Sequence, residues 1–210
     1  MCNRHRVYVQ DLVKNNKIPT PKPLILSKDQ KDSAEQVIRD LGFPAVIKIP
    51  DGAFSRGVTK AEDEKTLRAG LKELFKQSAL VLAQEYLYTD YDWRIGVLGG
   101  RAIYACKYYM VEGHWQIYQH GGAEVDSGGF DTMPTYEVPR NVIQAALNAT
   151  RLIGNGLYGV DIKQSGNRVA VIEVNDNPSI DAGVEDRFLG GELYTLIMQA
   201  FLSGLEENRR

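Results

Sequence analysis

The sequence predicts an α+β fold. Helical periodicity occurs in a few separated segments, a strand-rich stretch with glycine turns fills much of the second half, and 43% of the 210 residues are hydrophobic, enough for a sizeable core. Strands and helices arranged this way lack the regular alternation of a doubly wound sheet. The formal charge of -2 and pI of about 6.0, with acids and bases interspersed, give no electrostatic footprint for nucleic acid or a membrane surface. Cys2 and Cys106 are too few for a disulfide framework and match no metal-ligand spacing, which fits a reducing compartment. The start "MCNRHRVYVQDLV" has no apolar leader region and no run is long enough to cross a bilayer, so a cytoplasmic protein is expected.

Each element has a local reason. "HRVYVQDLVKNN" has helical apolar spacing through Val9, Leu12 and Val13 and stops at "KIPTPKP", whose prolines forbid its continuation. "LIL" is a short strand, and "SKDQKDSAEQVIRDLG" a helix capped by Ser27 and ended by Gly42. "FPAVIKIP" reads as a strand, "DGAFSRG" as a loop, "VTK" as a short strand, "AEDEKTLRAGLKELFKQ" as a helix and "ALVLAQEYL" as a strand. "YDWRIGVL", "GGRAIYACKYYMV" and "HWQIY" suit antiparallel strands, whereas "HGGAEVDSGGFDTMP" is too glycine-rich for a regular element. "PRNVIQAALNATRLIGNG" is a helix with Pro139 at its start, "LYGVDIKQ" and "RVAVIEVN" form a hairpin, and "RFLGGELYTLIMQAFLSGLEE" is a last amphipathic helix.

The hairpin carries acids where a core strand would not. Glu173 and Asn175 are two apart and share one face of the pleat. With a three-residue loop of Gly166, Asn167 and Arg168, Ser165 faces Val169 and Asp161 stands opposite Glu173. Tyr158, Val160, Ile162, Ala170, Ile172 and Val174 then make the core face. Like charges opposed on a sheet are destabilising, so a cation is expected, and hard oxygen donors at this spacing suit Mg²⁺. The competing reading is a solvated face neutralised by Lys163, or a two-residue Gly-Asn turn that removes the pairing.

Two further stretches are suggestive. In "PAVIKIPDGAFSRGV", Lys48 ends an apolar strand and is followed by a loop with Gly52, Ser55 and Gly57, a combination that can present a point charge and backbone N–H groups to phosphate. The Gly-Lys-Ser/Thr of a Walker A loop is absent. In "VLAQEYLYTDYDWRIGVL", Gln84 and Glu85 follow an apolar strand and Asp92 and Arg94 come next, an arrangement that suits an adenine edge and ribose hydroxyls. A snorkelling lysine, an ordinary turn and solvated acids are the plainer readings of these segments. His5, His114 and His120 match no catalytic spacing.

Taken in order, "IPTPKPLIL", "LGFPAVIKIPDGAFSRGV", "VLAQEYL", "YDWRIGVLGGRAIYA", "HWQI", "HGG", "GVDI" and "VIEVNDNPSI" resemble the ATP-grasp superfamily, specifically its RimK-type carboxylate-amine ligases, over nearly the whole chain. The resemblance implies two α+β subdomains clasping ATP between them: 1–42 as leading helices, 43–87 as a small lid-like subdomain and 88–210 as a larger one with the metal-binding hairpin. It implies that Lys48 contacts ATP phosphates, that the loop Gly52–Gly57 with Ser55 folds over them, that Gln84, Glu85, Tyr86 and Leu87 hold adenine, and that Asp92 lies near the ribose. It also implies Asp161, Glu173 and Asn175 as ligands of Mg²⁺, or of Mn²⁺ in its place, Arg94 and Lys107 over the transferring phosphoryl group, and Asn177 and Ser179 on the acceptor side. The implied chemistry is amide formation between a carboxylate and an amine, an amino acid or a peptide or protein tail, through an acylphosphate made with ATP.

The sequence departs from the family pattern at three places. Arg6 stands where a phosphate-contacting lysine is expected, Ala53 stands where a small hydroxyl residue is expected, and a preceding domain is not in the sequence. A fragment of a longer protein is therefore expected, with an ATP-binding module without turnover and a phosphotransferase on the same fold as the alternatives.

Overall fold

The computed structural model describes residues 18–50, 57–119 and 126–207. Its elements, in chain order, are β1 (Pro23–Ser27), α1 (Ser33–Asp40), β2 (Ala45–Lys48), β3 (Val58–Ala61), α2 (Glu64–Gln77) and β4 (Leu80–Glu85), then β5 (Tyr91–Leu98), β6 (Arg101–Tyr109), β7 (Tyr118–Gln119), β8 (Asp126–Ser127), β9 (Phe130–Met133), α3 (Arg140–Arg151), β10 (Leu157–Ser165), β11 (Arg168–Asn175) and α4 (Gly191–Glu207). The α+β class holds, with antiparallel sheets of four and five strands and a two-stranded ribbon of β7 and β8. Among the described residues no helix is long and apolar enough to cross a membrane.

Thr20–Tyr88 forms one compact unit, and the chain from Thr89, joined by Ile18 and Pro19, forms another. In the first, the sheet order is β1-β4-β2-β3, so β1 and α1 belong with the small unit and are not a separate leading segment. Helix α2 starts on a capping box in which the Thr66 N–H donates to Asp63 Oδ1 at 2.7 Å and the Asp63 N–H to Thr66 Oγ1 at 3.2 Å. Its Leu67, Leu71 and Leu74 recur at helical spacing and pack with Ala45, Ile47, Val81 and Ala83, one face of the sheet. Helix α1 begins at Ser33, six residues beyond the expected Ser27 cap. The intervening residues form a turn in which the Gln30 N–H donates to the Ser27 carbonyl at 3.0 Å, and the helix ends before Gly42, at φ 70°, as expected.

The second unit is built on the sheet β11-β10-β5-β6-β9. Helix α3 starts after Pro139 and buries Val142, Ala145, Ala146 and Ala149 at i, i+3, i+4 and i+7, covering one face through β11, β10 and β5. On the other face, Leu193 and Ile197 of α4 pack with Leu98, Tyr104 and Cys106. Two sequence expectations change here. "HWQIY" is mostly turn, closed by hydrogen bonds between Val111 and Gln116 and between His114 and Val111, and only Tyr118 and Gln119 pair as a strand. Within the glycine-rich segment, Phe130–Met133 is a regular edge strand on β6.

Candidate active site

The hairpin brings its two acids together by a route the sequence does not show. Ser165 pairs with Arg168, so the turn has two residues, Gly166 and Asn167, with Gly166 at φ 57° as a left-handed turn position requires. That register alone would displace the acids. A β-bulge adds one residue at Ile172, placing Val171 opposite Ile162 and restoring Asp161 opposite Glu173. Ile172 is consequently only half-buried, while Val169 and Val171 are buried, which corrects the expected core face.

Register then assigns the neighbours. Arg94 pairs with Asp161 across β5 and β10, and its Nε and Nη2 donate to Asp161 Oδ1 and Oδ2 at 2.8 and 3.2 Å. This fork-on-fork geometry is the strong form of a charge-assisted pair. The Asp161 charge holds the guanidinium above the ordinary arginine range. Asn175 approaches the same carboxylate, Nδ2 to Oδ2, at 3.4 Å. Two carboxylates, one amide and one arginine thus share a polar face of the sheet.

Lys163 does not neutralise Glu173 as the plainer reading expected. Its ammonium lies 2.6 Å from Asp92 and 2.8 Å from Thr89 Oγ1, and Thr89 also donates to Asp92 at 3.1 Å. Burial pushes the Asp92 carboxyl up, and Lys163 offsets that by favouring the ion. Asp92, Thr89 and Lys163 thus form one hydrogen-bonded triad.

Lys107 is also corrected. It pairs with Trp93, one step out of phase with Arg94, and so lies on the opposite face. Its ammonium sits 4.5 and 5.0 Å from the ring centroids of Tyr91 and Trp93. The β6 residue facing Arg94 is Cys106, a buried thiol pushed up to about 11 by burial and therefore no nucleophile at neutral pH. Tyr108, two residues on, carries Arg94 over its ring at 5.1 Å. Asn177 and Ser179 lie exposed in the loop after β11.

In the first unit, strand parity puts Lys48, Leu82 and Gln84 on the sheet face opposite the helices. Lys48 and Gln84 are both buried, and Gln84 Nε2 has no hydrogen-bond partner among the described residues. A buried amide donor left this way is costly unless a ligand engages it. Glu85 Oε1 accepts from the Lys22 N–H at 2.9 Å, the Tyr86 N–H donates to the Pro44 carbonyl, and Leu87 follows beyond the paired strand. Gly57 closes the loop, its carbonyl accepting from the Ile49 N–H at 3.1 Å and its φ at 68°. Arg6, Gly52, Ala53, Ser55 and His120 lie outside the described residues.

The sequence gives no sign of Glu185, a buried acid in the loop after β11 that accepts from the Tyr108 hydroxyl and, through Oε2, from the Asp181 N–H at 2.9 Å. Burial and the Glu185 charge both push the Tyr108 phenol up. Among the described residues no three His, Cys, Asp or Glu side chains form a metal cluster. Two carboxylates plus an amide oxygen still suit an ion that takes its remaining ligands from water and phosphate, as Mg²⁺ does.

Solved structures of ATP-grasp ligases share this arrangement of elements. D-alanine–D-alanine ligase from Bacillus anthracis matches with TM-score 0.77 and 19% identity over 98% of this chain and 69% of that one. The ATP-grasp ligase PsnB, in complex with a phosphomimetic precursor variant, Mg and ADP, matches with TM-score 0.66 and 20% identity over 94% of this chain and 59% of that one. The chain belongs to the RimK-like ATP-grasp domain family, which matches residues 3–193. A probable alpha-L-glutamate ligase from Vibrio vulnificus strain YJ016 is 30% identical over 172 residues, 79% of this chain and 54% of the relative. The chain thus spans about half the length of that curated relative.

Proposed function

We propose that this chain is the ATP-using core of a cytoplasmic ligase that joins a carboxylate to an amine, with L-glutamate as the first substrate to test. The observation that carries the reading is the opposed pair Asp161 and Glu173, with Asn175 and Arg94 beside it, in a chain of the RimK-like family. The glutamate choice rests on the name of the Vibrio vulnificus relative.

Asp161, Glu173 and Asn175 would hold Mg²⁺, which when bound offsets phosphate charge, and Mn²⁺ suits the same oxygen donors. The chain's own groups do the remaining positioning. Arg94, held by Asp161 and supported by the Tyr108 ring, would offset the charge of the transferring phosphoryl group. Lys48 supplies a point charge to phosphate, and the buried Gln84 amide offers a donor to adenine. Arg6 and the loop of Gly52, Ser55 and Gly57 would add cationic and backbone donors to phosphate, Glu85 to Leu87 would frame the base, and Asn177 would serve the acceptor. ATP would convert the carboxylate to an acylphosphate, which the amine attacks to release phosphate. No side-chain nucleophile is required.

The test is calorimetric titration of ATP with and without Mg²⁺, with Glu173→Ala and Lys48→Ala alongside, followed by an amine-dependent ADP-release assay. Wild type should bind ATP in a metal-dependent way, and Glu173→Ala should lose the metal dependence while staying folded. Lys48→Ala should weaken ATP far more than adenosine. Metal-dependent binding without amine-dependent ADP release would replace the ligase with a binding module.

A further inference from the structure

We infer that Glu185 is a positioning residue that holds the loop carrying Asn177 and Ser179 in register with Arg94; this rests on the ligase reading above. The loop from Asp176 to Gly190 has little regular structure, yet three contacts tie it to the polar face of the five-stranded sheet. Glu185 accepts from the Tyr108 hydroxyl on β6. Thr132 Oγ1 on β9 donates to the Val184 carbonyl at 2.7 Å. Pro178 covers Gly159 on β10 so closely that a Cβ there would stand 2.7 Å from the Pro178 Cβ.

Glu185 is the contact with two ends. It is 1% exposed, and its two oxygens are used separately, Oε1 by Tyr108 and Oε2 by the Asp181 N–H at 2.9 Å. Tyr108 is also the ring on which the Arg94 guanidinium lies, and Arg94 grips Asp161. The contacts run without a break from Asp181 through Glu185, Tyr108 and Arg94 to Asp161. Burying an acid is unfavourable unless its hydrogen bonds are made, so the loop and the tyrosine are each held where they satisfy it. Side chains locked in this way keep a site's geometry within the tolerance that transfer chemistry needs. A carboxylate accepting from a phenol and an amide is a brace and takes no part in the bond changes.

The experiment compares wild type with Glu185→Ala, Glu185→Gln and Tyr108→Phe. Amide hydrogen exchange at Asp181 reads the loop directly, calorimetry reads Mg·ATP affinity, and ADP release with L-glutamate as the probe for both the carboxylate and the amine is resolved into kcat and KM. The expected result is exchange at Asp181 about tenfold or more faster in Glu185→Ala, much of that protection rescued in Glu185→Gln, which keeps an acceptor, and Mg·ATP affinity within about twofold of wild type in all variants. In ADP release, kcat should fall with KM for ATP unchanged. Tyr108→Phe keeps the Asp181 bond, so its expected signature is a lower kcat with slow exchange at Asp181. Unchanged exchange in Glu185→Ala, or loss of ATP affinity equal to the loss of kcat, overturns the inference. A wild type that binds no ATP overturns the ligase reading instead, while exchange at Asp181 still decides whether Glu185 braces the loop.

Discussion

Removing Arg94 tests whether the polar face is an electrostatic unit. In Arg94→Met the Asp161 carboxylate loses both guanidinium bonds and is left opposite Glu173. Breaking one side of a buried ion pair costs about 3–5 kcal/mol. Here the two side chains are 18% and 20% exposed, so screening trims the expected loss to about 2–3 kcal/mol. Asp161→Asn should lose a comparable amount by stranding Arg94. The double variant strands neither, so its loss should fall short of the sum by about 1.5–3 kcal/mol. Trp93 lies buried next to Arg94 on β5, so urea unfolding followed by tryptophan emission reports this sheet. Mg²⁺ at about 100 times its dissociation constant should return about 2.7 kcal/mol to Arg94→Met and much less to the double variant. Additive losses, with coupling below about 0.5 kcal/mol, would refute the idea that Arg94 neutralises the acids.

Three other substitutions probe separate features. Lys107→Met should change Mg·ATP affinity by no more than about twofold and remove only a cation–π contribution of about 0.5–2 kcal/mol; a large loss of ATP binding by calorimetry would return Lys107 to the site. Lys163→Met removes the main group favouring ionised Asp92, whose folded pKa already stands above its unfolded value. The protonated form is then the better-tolerated one, so stability is retained below the ordinary aspartate range and lost as pH rises through the raised value. The deficit against wild type in urea midpoints should therefore widen from acid to neutral pH, and a deficit that narrowed would contradict the burial argument. Gly96→Ala places a Cβ 2.2 Å from the Tyr104 ring, and displacing that ring should cost about 1–3 kcal/mol in chemical unfolding.

The legible parts of the fold were those written in local pattern. The apolar spacing of α2 and of α3 specifies each helix without distant contacts, and the structure adds the capping box at Asp63 that fixes where α2 starts. The opposed acids were also legible, but through a loop length that the structure does not have. A two-residue turn and a bulge shift the register in compensating directions, and no local signal announces the bulge. Lys107 was placed by resemblance, where strand parity against Arg94 would have put it on the other face. Glu185 could not be found at all, because a loop acid becomes buried only through packing against Tyr108, 77 positions away in sequence.

The bulge at Ile172 separates the tip of the hairpin from its acidic end. A relative with a three-residue turn and an unbroken ladder would present the same two carboxylates from a strand of different phase. An alignment that admits no gap within strands would then match Glu173 to an apolar position and overlook the acid in a protein that keeps it. For this lineage, comparisons should be anchored on the cross-strand partner of Asp161 and counted outward in both directions, with the turn left free to vary.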